Sequence, residues 1–192
     1  MVTPLAVVLL VLMGFMAALW SYSIRIRNGA VADVGWGLGF IIAAWLHLAL
    51  ASGAGVTAWI MAGVLTLWGF RLSLFIWRDR VAGGRPEDAR YREFRDKWGK
   101  RADLNLFGFF QLQALLIVVV SLPMAVAAHD PGTGYGGFQA AGLLLWIAAF
   151  AGEVVSDSQL KNFKSRPENR GRVLDTGLWR HSRHPNYFFE WL

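Results

Sequence analysis

The chain has 192 residues, of which 55% are hydrophobic and ten are tryptophan. Its apolar residues form long continuous blocks, a pattern that predicts membrane-spanning segments. Cysteine is absent, which excludes disulfides, thiol catalysis and cysteine-ligated metals, and we expect no metal site. The net charge of +6 would suggest nucleic acid in a soluble protein. In a membrane protein it is typical of basic cytoplasmic loops, so we expect the bilayer and no nucleic acid as a partner.

Five hydrophobic blocks are each long enough to cross a bilayer at about 1.5 Å per residue. In chain order they are Pro4–Tyr22, Val31–Leu50, Val56–Trp77, Leu106–Ala128 and Phe138 to about Gln159. The first block lacks the charged start and cleavage site of a secretory signal, so we interpret it as a retained span.

The last residues, Tyr187–Leu192, resemble the start of a sixth span. The pattern therefore predicts an all-α, multi-pass transmembrane helical bundle of five spans plus the start of a sixth. We expect one membrane-embedded domain over residues 1–192. Because the chain stops inside a hydrophobic segment, we also expect it to be a fragment of a larger fold that lacks its C-terminal helices.

Basic residues are confined to alternate connections between these blocks. The segments after the first, third and fifth blocks contain two, nine and seven Lys or Arg, and those after the second and fourth contain none. By the positive-inside rule, the charged loops at about 78–105 and 161–186 are cytoplasmic and the N-terminus is outside. The first of these loops also holds six acidic residues, which predicts a polar loop or a surface helix.

Four charged residues, Asp33, Arg71, Glu153 and Asp157, fall within the predicted spans, where ionisable groups usually face the protein interior. Asp33 lies about one turn into the second block, before glycines at 35, 37 and 39 that allow close approach of a helix or a ligand. Asp33 is either a carboxylate at the membrane interface, which caps a helix or pairs with Arg27, or part of a site. Arg71 is either a side chain that reaches the headgroups or a ligand for an anion.

Glu153 and Asp157 are four residues apart and share one face of the fifth block, which Lys161 and Lys164 continue beyond it. An ion pair between Asp157 and Lys161 would explain Asp157 but not the deeper Glu153. The polar stripe suits a ligand that has a polar body and phosphate groups.

A glycine-rich motif, Gly132–Gly137, satisfies the dinucleotide-binding pattern GxGxxG. It stands in a short loop between two predicted membrane helices, without the strand and the βαβ unit that give this pattern its meaning. We interpret it as a turn.

The segment before the sixth block concentrates four basic residues, Arg172, Arg180, Arg183 and His184. Pro185 favours a helix start, whose free N–H groups bind phosphate well. A basic juxtamembrane loop that attracts anionic lipid would explain the charge. It would not explain the Arg-His-Pro-Asn-Tyr run followed by Glu190 in a hydrophobic helix.

The chain resembles the DUF1295 branch of the steroid 5α-reductase-like membrane superfamily. The resemblance rests on Asp33–Phe40, Trp68–Leu72, Glu87–Tyr91, Asp157–Leu160, Gly177–Arg180 and Ser182–Phe188. It implies a seven-helix membrane fold and the use of NADPH to reduce an activated carbon–carbon double bond in a lipophilic substrate. Together with the polar stripe, it places a predicted NADPH site at Arg71, Glu153, Asp157, Lys164, Arg172, Arg180, His184, Asn186, Tyr187 and Glu190.

The chain departs from this family pattern at two positions. Steroid reductases polarise the substrate carbonyl with a tyrosine and a nearby carboxylate, and here Trp68 takes the tyrosine position while Asp33 matches the carboxylate loosely. Asp33 and Trp68 are therefore the catalytic candidates, although indole cannot protonate an enolate. Phe189 stands where the family usually has glycine, so we expect it to narrow the cofactor site.

Two other functions stay open. Membrane methyltransferases of the isoprenylcysteine or phospholipid type carry a similar Arg-His-Pro-x-Tyr run for S-adenosylmethionine. A membrane lipid-binding protein with a degenerate site would also account for Trp68 and Phe189.

Overall fold

The computed structural model describes residues 2–84, 86–130 and 134–192. Within these residues the chain is helical and contains no β-strand. The α-helices are α1 Val2–Ile26, α2 Val31–Leu50, α3 Val56–Ile76, α4 Ala89–Trp98, α5 Ala102–Val120, α6 Leu122–His129, α7 Gly137–Lys164 and α8 Pro185–Trp191.

Five helical segments of the described chain are long and apolar enough to cross a membrane. They are Val2–Ile26, Val31–Leu50, Val56–Val81, Ala89–Val120 and Gly137–Lys164. This confirms the predicted all-α, multi-pass fold of an integral membrane protein. The start of the predicted sixth span is the short helix α8.

The chain forms two compact units, Met1–Gly134 (unit 1) and Tyr135–Leu192 (unit 2). In unit 1, α2 is the central helix and packs against α1, α3, α5 and α6. The core between these helices contains Leu12, Met16, Phe110 and Ile117, all fully buried.

The glycines of α2 allow its neighbours to approach closely. A Cβ atom at Gly37 would lie 2.7 Å from the backbone oxygen of Gly69 on α3, and one at Gly35 would lie 2.9 Å from Met16 Sδ on α1. A Cβ at Gly39 would overlap the Ile117 side chain on α5. These glycines therefore serve helix packing, which was one of the two alternatives that the sequence left open.

The fourth hydrophobic block, predicted as one span, is divided into α5 and α6 at Ser121. Pro123 explains the division, because it has no N–H to donate and its ring clashes with the carbonyl four residues earlier. The Ser121 hydroxyl donates to the Val118 carbonyl at 3.1 Å, which satisfies one acceptor near the break.

The charged segment after α3 contains the surface helix α4, one of the two predicted alternatives. Asp88 caps this helix by accepting a hydrogen bond from the Arg90 backbone N–H at 3.0 Å. Among the described residues of α4, only Tyr91 is buried.

Unit 2 consists of α7, α8 and the basic segment between them. That segment includes two short 3₁₀ turns, Pro167–Asn169 and Gly177–Arg180. Pro185 lies in the first turn of α8, as the sequence predicts. Part of the glycine motif at 132–137, residues 132 and 133, lies outside the described residues, and α7 begins at Gly137.

Candidate functional site

The burial of the candidate residues near the C-terminal end of α7 follows from the helical register. Glu153 and Ser156 are buried, whereas Asp157 and Gln159 are partly exposed. The Ser156 hydroxyl donates to the Gly152 carbonyl at 2.7 Å, so this polar side chain is satisfied within its own helix. The Ser156 carbonyl and the Gln159 side chain both accept hydrogen bonds from the segment that follows α7.

The 3₁₀ turn Gly177–Arg180 is held onto α7 by two hydrogen bonds. The Gln159 side-chain oxygen accepts from the Leu178 N–H at 3.0 Å, and the Trp179 indole N–H donates to the Ser156 carbonyl at 3.0 Å. Gly177 has a φ of +62°, and a Cβ there would lie 2.5 Å from the Gln159 side chain. Glycine is therefore required at this position for both conformation and space.

Helix α8 packs against α7 at a notch formed by Gly152. A Cβ at Gly152 would overlap the ring of Phe189. The bulky side chain at 189 thus fills a contact between two helices of unit 2. The expected narrowing of the cofactor site stays a prediction, but this contact gives Phe189 a structural role.

Asn186 joins the start of α8 to α7. Its side-chain NH₂ donates to the Asp157 carboxylate at 3.4 Å, at the long end of the range for such bonds. Its side-chain oxygen is buried and has no hydrogen-bond partner within the described residues. A buried acceptor of this kind calls for a donor from a ligand or from water.

A cleft of about 960 Å³ lies between the end of α7 and the basic segment, entirely within unit 2. This volume is at the upper end of the range for ligand sites. Among the described residues its walls carry five cationic side chains and a single carboxylate, Asp175. The cations are those of Lys164, Arg166, Arg170, Arg172 and Arg183. Apolar walls are provided by Leu160, Phe163, Val173, Leu174 and Trp179. We call this the basic cleft.

The charge and shape of the basic cleft suit a large polyanion that has an apolar or aromatic part. Arginine side chains present paired donors that match phosphate oxygens, so several of them around one cleft favour phosphate groups. Asn169, which also lines the cleft, donates to the Phe163 carbonyl at 2.8 Å and fixes the turn that follows α7.

Unit 1 contains a different kind of charged cluster, centred on Asp33. One carboxylate oxygen of Asp33 accepts from Arg80 at 3.2 Å and from Arg90 at 2.9 Å, and the other accepts from the Tyr91 hydroxyl at 2.8 Å. Asp88 pairs with the same two arginines at 3.4 and 3.2 Å. We call these five residues the Asp33 cluster.

The Asp33 cluster connects the start of α2 to the charged segment 78–103. Partial burial disfavours the charged form of Asp88, but the hydrogen bonds from Arg90 outweigh this effect and lower the pKa of the Asp88 carboxyl. A second set of contacts lies beside the cluster, where the Glu87 carboxylate accepts from the Gly29 N–H at 2.7 Å and from Arg95 at 3.1 Å. Both sets fix the connection between α1 and α2 to the loop after α3.

Comparison with known proteins gives one match. A family described as "Protein of unknown function (DUF1295)" matches residues 19–192. The chain belongs to the DUF1295 family. No curated protein and no solved structure matches it.

The structure brings together some of the NADPH-site residues predicted for this DUF1295 chain. Lys164 and Arg172 both line the basic cleft, and Asp157 binds Asn186 beside the start of α8. Glu153 is buried on α7, about three turns before the helix ends at Lys164. Their assignment to a cofactor stays a prediction.

Other predicted residues of unit 2 lie apart from the walls of the basic cleft. Arg180 is exposed on the 3₁₀ turn and Glu190 is exposed on α8. The rings of His184 and Tyr187 stack on each other with centroids 5.3 Å apart and an angle of 9° between their planes. Both rings are exposed, so they form a platform at the start of α8.

The cleft also includes basic residues that the sequence prediction did not assign to the site. They are Arg166, Arg170 and Arg183, the last of which was noted only as part of the basic run. Residues 166 and 170 flank the turn Pro167–Asn169, and Pro167 is a sequence signal that could have indicated this turn.

The two catalytic candidates, Asp33 and Trp68, lie in unit 1 and make contacts that favour structural roles. Asp33 accepts from Arg80, Arg90 and Tyr91 and not from the neighbouring Arg27 in the described chain. Trp68 packs edge-to-face on Phe40, with ring centroids 5.6 Å apart. Arg71 is partly exposed on α3. The catalytic assignments stay predictions.

Tyr91 was not a site candidate, yet it forms a tyrosine–carboxylate pair with Asp33. Its side chain is 2% exposed and its hydroxyl donates to Asp33. The hydroxyl is therefore bound within the fold rather than directed to an open cavity. Asp33 and Tyr91 are 58 residues apart, so only the structure reveals this pair.

Proposed function

We propose that this chain is a membrane-embedded reductase that uses NADPH to reduce an activated carbon–carbon double bond in a lipophilic substrate. The observation that supports this proposal is the basic cleft, in which five cationic side chains and one carboxylate surround about 960 Å³ next to the end of a membrane-spanning helix. On the positive-inside rule this cleft faces the cytoplasm, where NADPH is available.

The residues of the cleft fit the chemistry of NADPH. Its pyrophosphate and 2′-phosphate need several cationic donors, which Lys164, Arg172 and Arg183 can supply. Asn186 is outside the cleft walls, at the start of α8, and its buried oxygen, which has no hydrogen-bond partner among the described residues, offers an acceptor for an amide or hydroxyl group. When bound, NADPH supplies the hydride, and the protein supplies position and exclusion of water.

The charge of the cleft argues for NADPH over S-adenosylmethionine. S-adenosylmethionine has no phosphate and carries a sulfonium cation, which five surrounding cations would repel. The methyltransferase alternative rests on the Arg-His-Pro-x-Tyr run alone. Anionic lipid headgroups share the phosphate chemistry of NADPH, so the test must separate them.

The substrate in this proposal is a lipophilic enone that enters from the bilayer, because the membrane-spanning part of α7 exposes apolar side chains such as Leu144, Ile147 and Val155. The proposal does not depend on Asp33 or Trp68 as catalytic groups. A group that polarises the substrate carbonyl is still required.

The test is calorimetric titration of the chain, held in nanodiscs of neutral lipid, with NADPH and then with S-adenosylmethionine. We expect NADPH to bind and S-adenosylmethionine not to bind. We expect Arg172→Ala to weaken NADPH binding about tenfold, since a charge-assisted hydrogen bond contributes roughly 1.5–3 kcal/mol. The matched control is Arg92→Ala, which removes an exposed arginine from α4. Its affinity for NADPH should stay within about twofold of the wild-type value.

A second measurement tests the reaction. Addition of an enone lipid to the NADPH complex should decrease the near-ultraviolet absorbance of the dihydronicotinamide ring. Failure of the wild-type chain to bind NADPH would contradict the proposal. An Arg172→Ala variant with the same affinity for NADPH as the wild type would also contradict it. Binding of S-adenosylmethionine in its place would favour the methyltransferase.

A further inference from the structure

The basic cleft has an aromatic side as well as a cationic one. Trp179 and Phe163 both line it, together with aliphatic side chains and the five cations. A site for phosphate alone, or for a lipid headgroup at the membrane surface, requires only the cations. The aromatic side chains call for a different explanation.

Trp179 differs from Phe163 because it is fixed in place by the fold. Its indole N–H donates to the Ser156 carbonyl at 3.0 Å, and the preceding residue, Leu178, is held by Gln159 at 3.0 Å. Gly177, at φ +62°, lets the chain turn close to Gln159 just before it. An indole that is held in this way binds a planar ligand with little loss of side-chain freedom.

We propose that Trp179 is the base-recognition residue of the basic cleft, on which the adenine of a nucleotide stacks while the arginines hold its phosphates. This inference rests on the proposed function, and it names the part of the nucleotide that gives the site its preference over other phosphates. Every nucleobase has a π-face, and stacking of a base on an aromatic side chain changes affinity by about fivefold or more.

The decisive comparison is between Trp179→Phe and Trp179→Leu. Both substitutions remove the indole N–H and its hydrogen bond to Ser156, and both leave an apolar side chain of intermediate size. They differ in the aromatic ring, so their difference in affinity measures stacking. Trp191→Ala, which removes an indole that is 91% exposed at the end of α8, is the control for loss of a tryptophan.

The probes are 2′,5′-ADP and inorganic pyrophosphate, titrated into the full chain in neutral nanodiscs. We expect Trp179→Leu to bind 2′,5′-ADP about fivefold or more weakly than Trp179→Phe, and both variants to bind pyrophosphate equally. Trp191→Ala should match the wild type with both probes. Thermal unfolding of each variant shows that the compared samples are folded to the same extent.

Equal affinity of Trp179→Phe and Trp179→Leu for 2′,5′-ADP would overturn the inference. If NADPH still bound and Arg172→Ala still weakened it, the proposed function would survive that result. Tighter binding of phosphatidylglycerol vesicles than of 2′,5′-ADP, with no effect at residue 179, would overturn both and make the cleft a site for lipid headgroups.

Discussion

The Asp33 cluster and the basic cleft use similar residues for different purposes. In the Asp33 cluster, two carboxylates and two arginines neutralise each other, and Tyr91 completes the hydrogen bonds. In the basic cleft, five cations face one carboxylate among the described residues. Like charges that are gathered around a cavity repel one another, and the anionic ligand that we propose would relieve this repulsion.

On the proposed function, this difference separates charges that stabilise the fold from charges that bind a ligand within one protein. The charged loop at 78–105 holds nine basic and six acidic residues, so a carboxylate is available for up to two thirds of its cations. The basic segment at 161–183 holds seven basic residues against Glu168 and Asp175. Basic residues alone predict which side of the membrane a loop occupies, whereas the balance of both signs indicates whether the loop binds something.

The largest expected effect on stability comes from removal of the central carboxylate of the Asp33 cluster. Asp33→Ala leaves Arg80, Arg90 and Tyr91 without their shared acceptor, and we expect it to lower the free energy of unfolding by about 2–3 kcal/mol. The arginines are partly exposed, which keeps this value below that of a fully buried pair. Thermal unfolding in detergent measures it.

The matched control is Asp175→Ala, which removes the carboxylate of the basic cleft. It should change the free energy of unfolding by less than about 0.5 kcal/mol. Equal losses of unfolding free energy in Asp33→Ala and Asp175→Ala would contradict the distinction between the Asp33 cluster and the basic cleft.

A second prediction concerns unit 2, where the Phe189 ring of α8 packs closely against Gly152 of α7. Gly152→Ala places a Cβ against the Phe189 ring, and overpacking of this kind costs about 1–3 kcal/mol. Phe189→Ala in the same chain should restore part of the loss by making room. A double-mutant cycle from thermal unfolding measures the coupling, and additive effects would contradict the proposed contact.

The smallest expected effect is the pH dependence of the cap on α4. Because the folded-state pKa of Asp88 is lowered, its carboxylate stabilises the fold at pH values above the ordinary pKa of about 4. That stability is lost as the pH falls through the lowered folded-state value. Asp88→Asn keeps a capping side chain but removes the charge.

We therefore expect wild type to be more stable than Asp88→Asn at neutral pH by up to about 1 kcal/mol, with a difference that shrinks below about pH 4. Unfolding temperatures of wild type and Asp88→Asn, measured from neutral pH to below about pH 4, test the direction of this change. A difference that grew on acidification would contradict the assigned role.

The sequence predicts those features that depend on local pattern. Hydrophobic length predicts the five spans, and Pro185 predicts where α8 begins, because both signals act within a few residues. Pro123 also signals the division at Ser121, but the hydrophobicity of the surrounding block obscured it.

Contacts between distant residues could not be predicted in the same way. Asp33 pairs with arginines that lie 47 and 57 residues away, whereas the partner predicted from the sequence was the nearby Arg27. Phe189 was expected to narrow a binding site, but its packing against Gly152 depends on how α8 lies on α7. Lys164 and Arg172 were assigned to the site from sequence and do line the cleft, whereas Arg166 and Arg170 join them only through the turn between them.

The most direct test of the central claim is the dissociation constant for NADPH of an Arg172→Ala, Arg183→Ala double variant, measured beside Lys97→Ala, Lys100→Ala. Both doubles remove two exposed cations, the first from the basic cleft and the second from the surface near α4. We predict that the cleft double weakens binding about 100-fold and reduces its dependence on salt, while the α4 double stays within about twofold. Equal losses in the two doubles would show that NADPH responds to overall charge and would contradict a nucleotide site in the basic cleft.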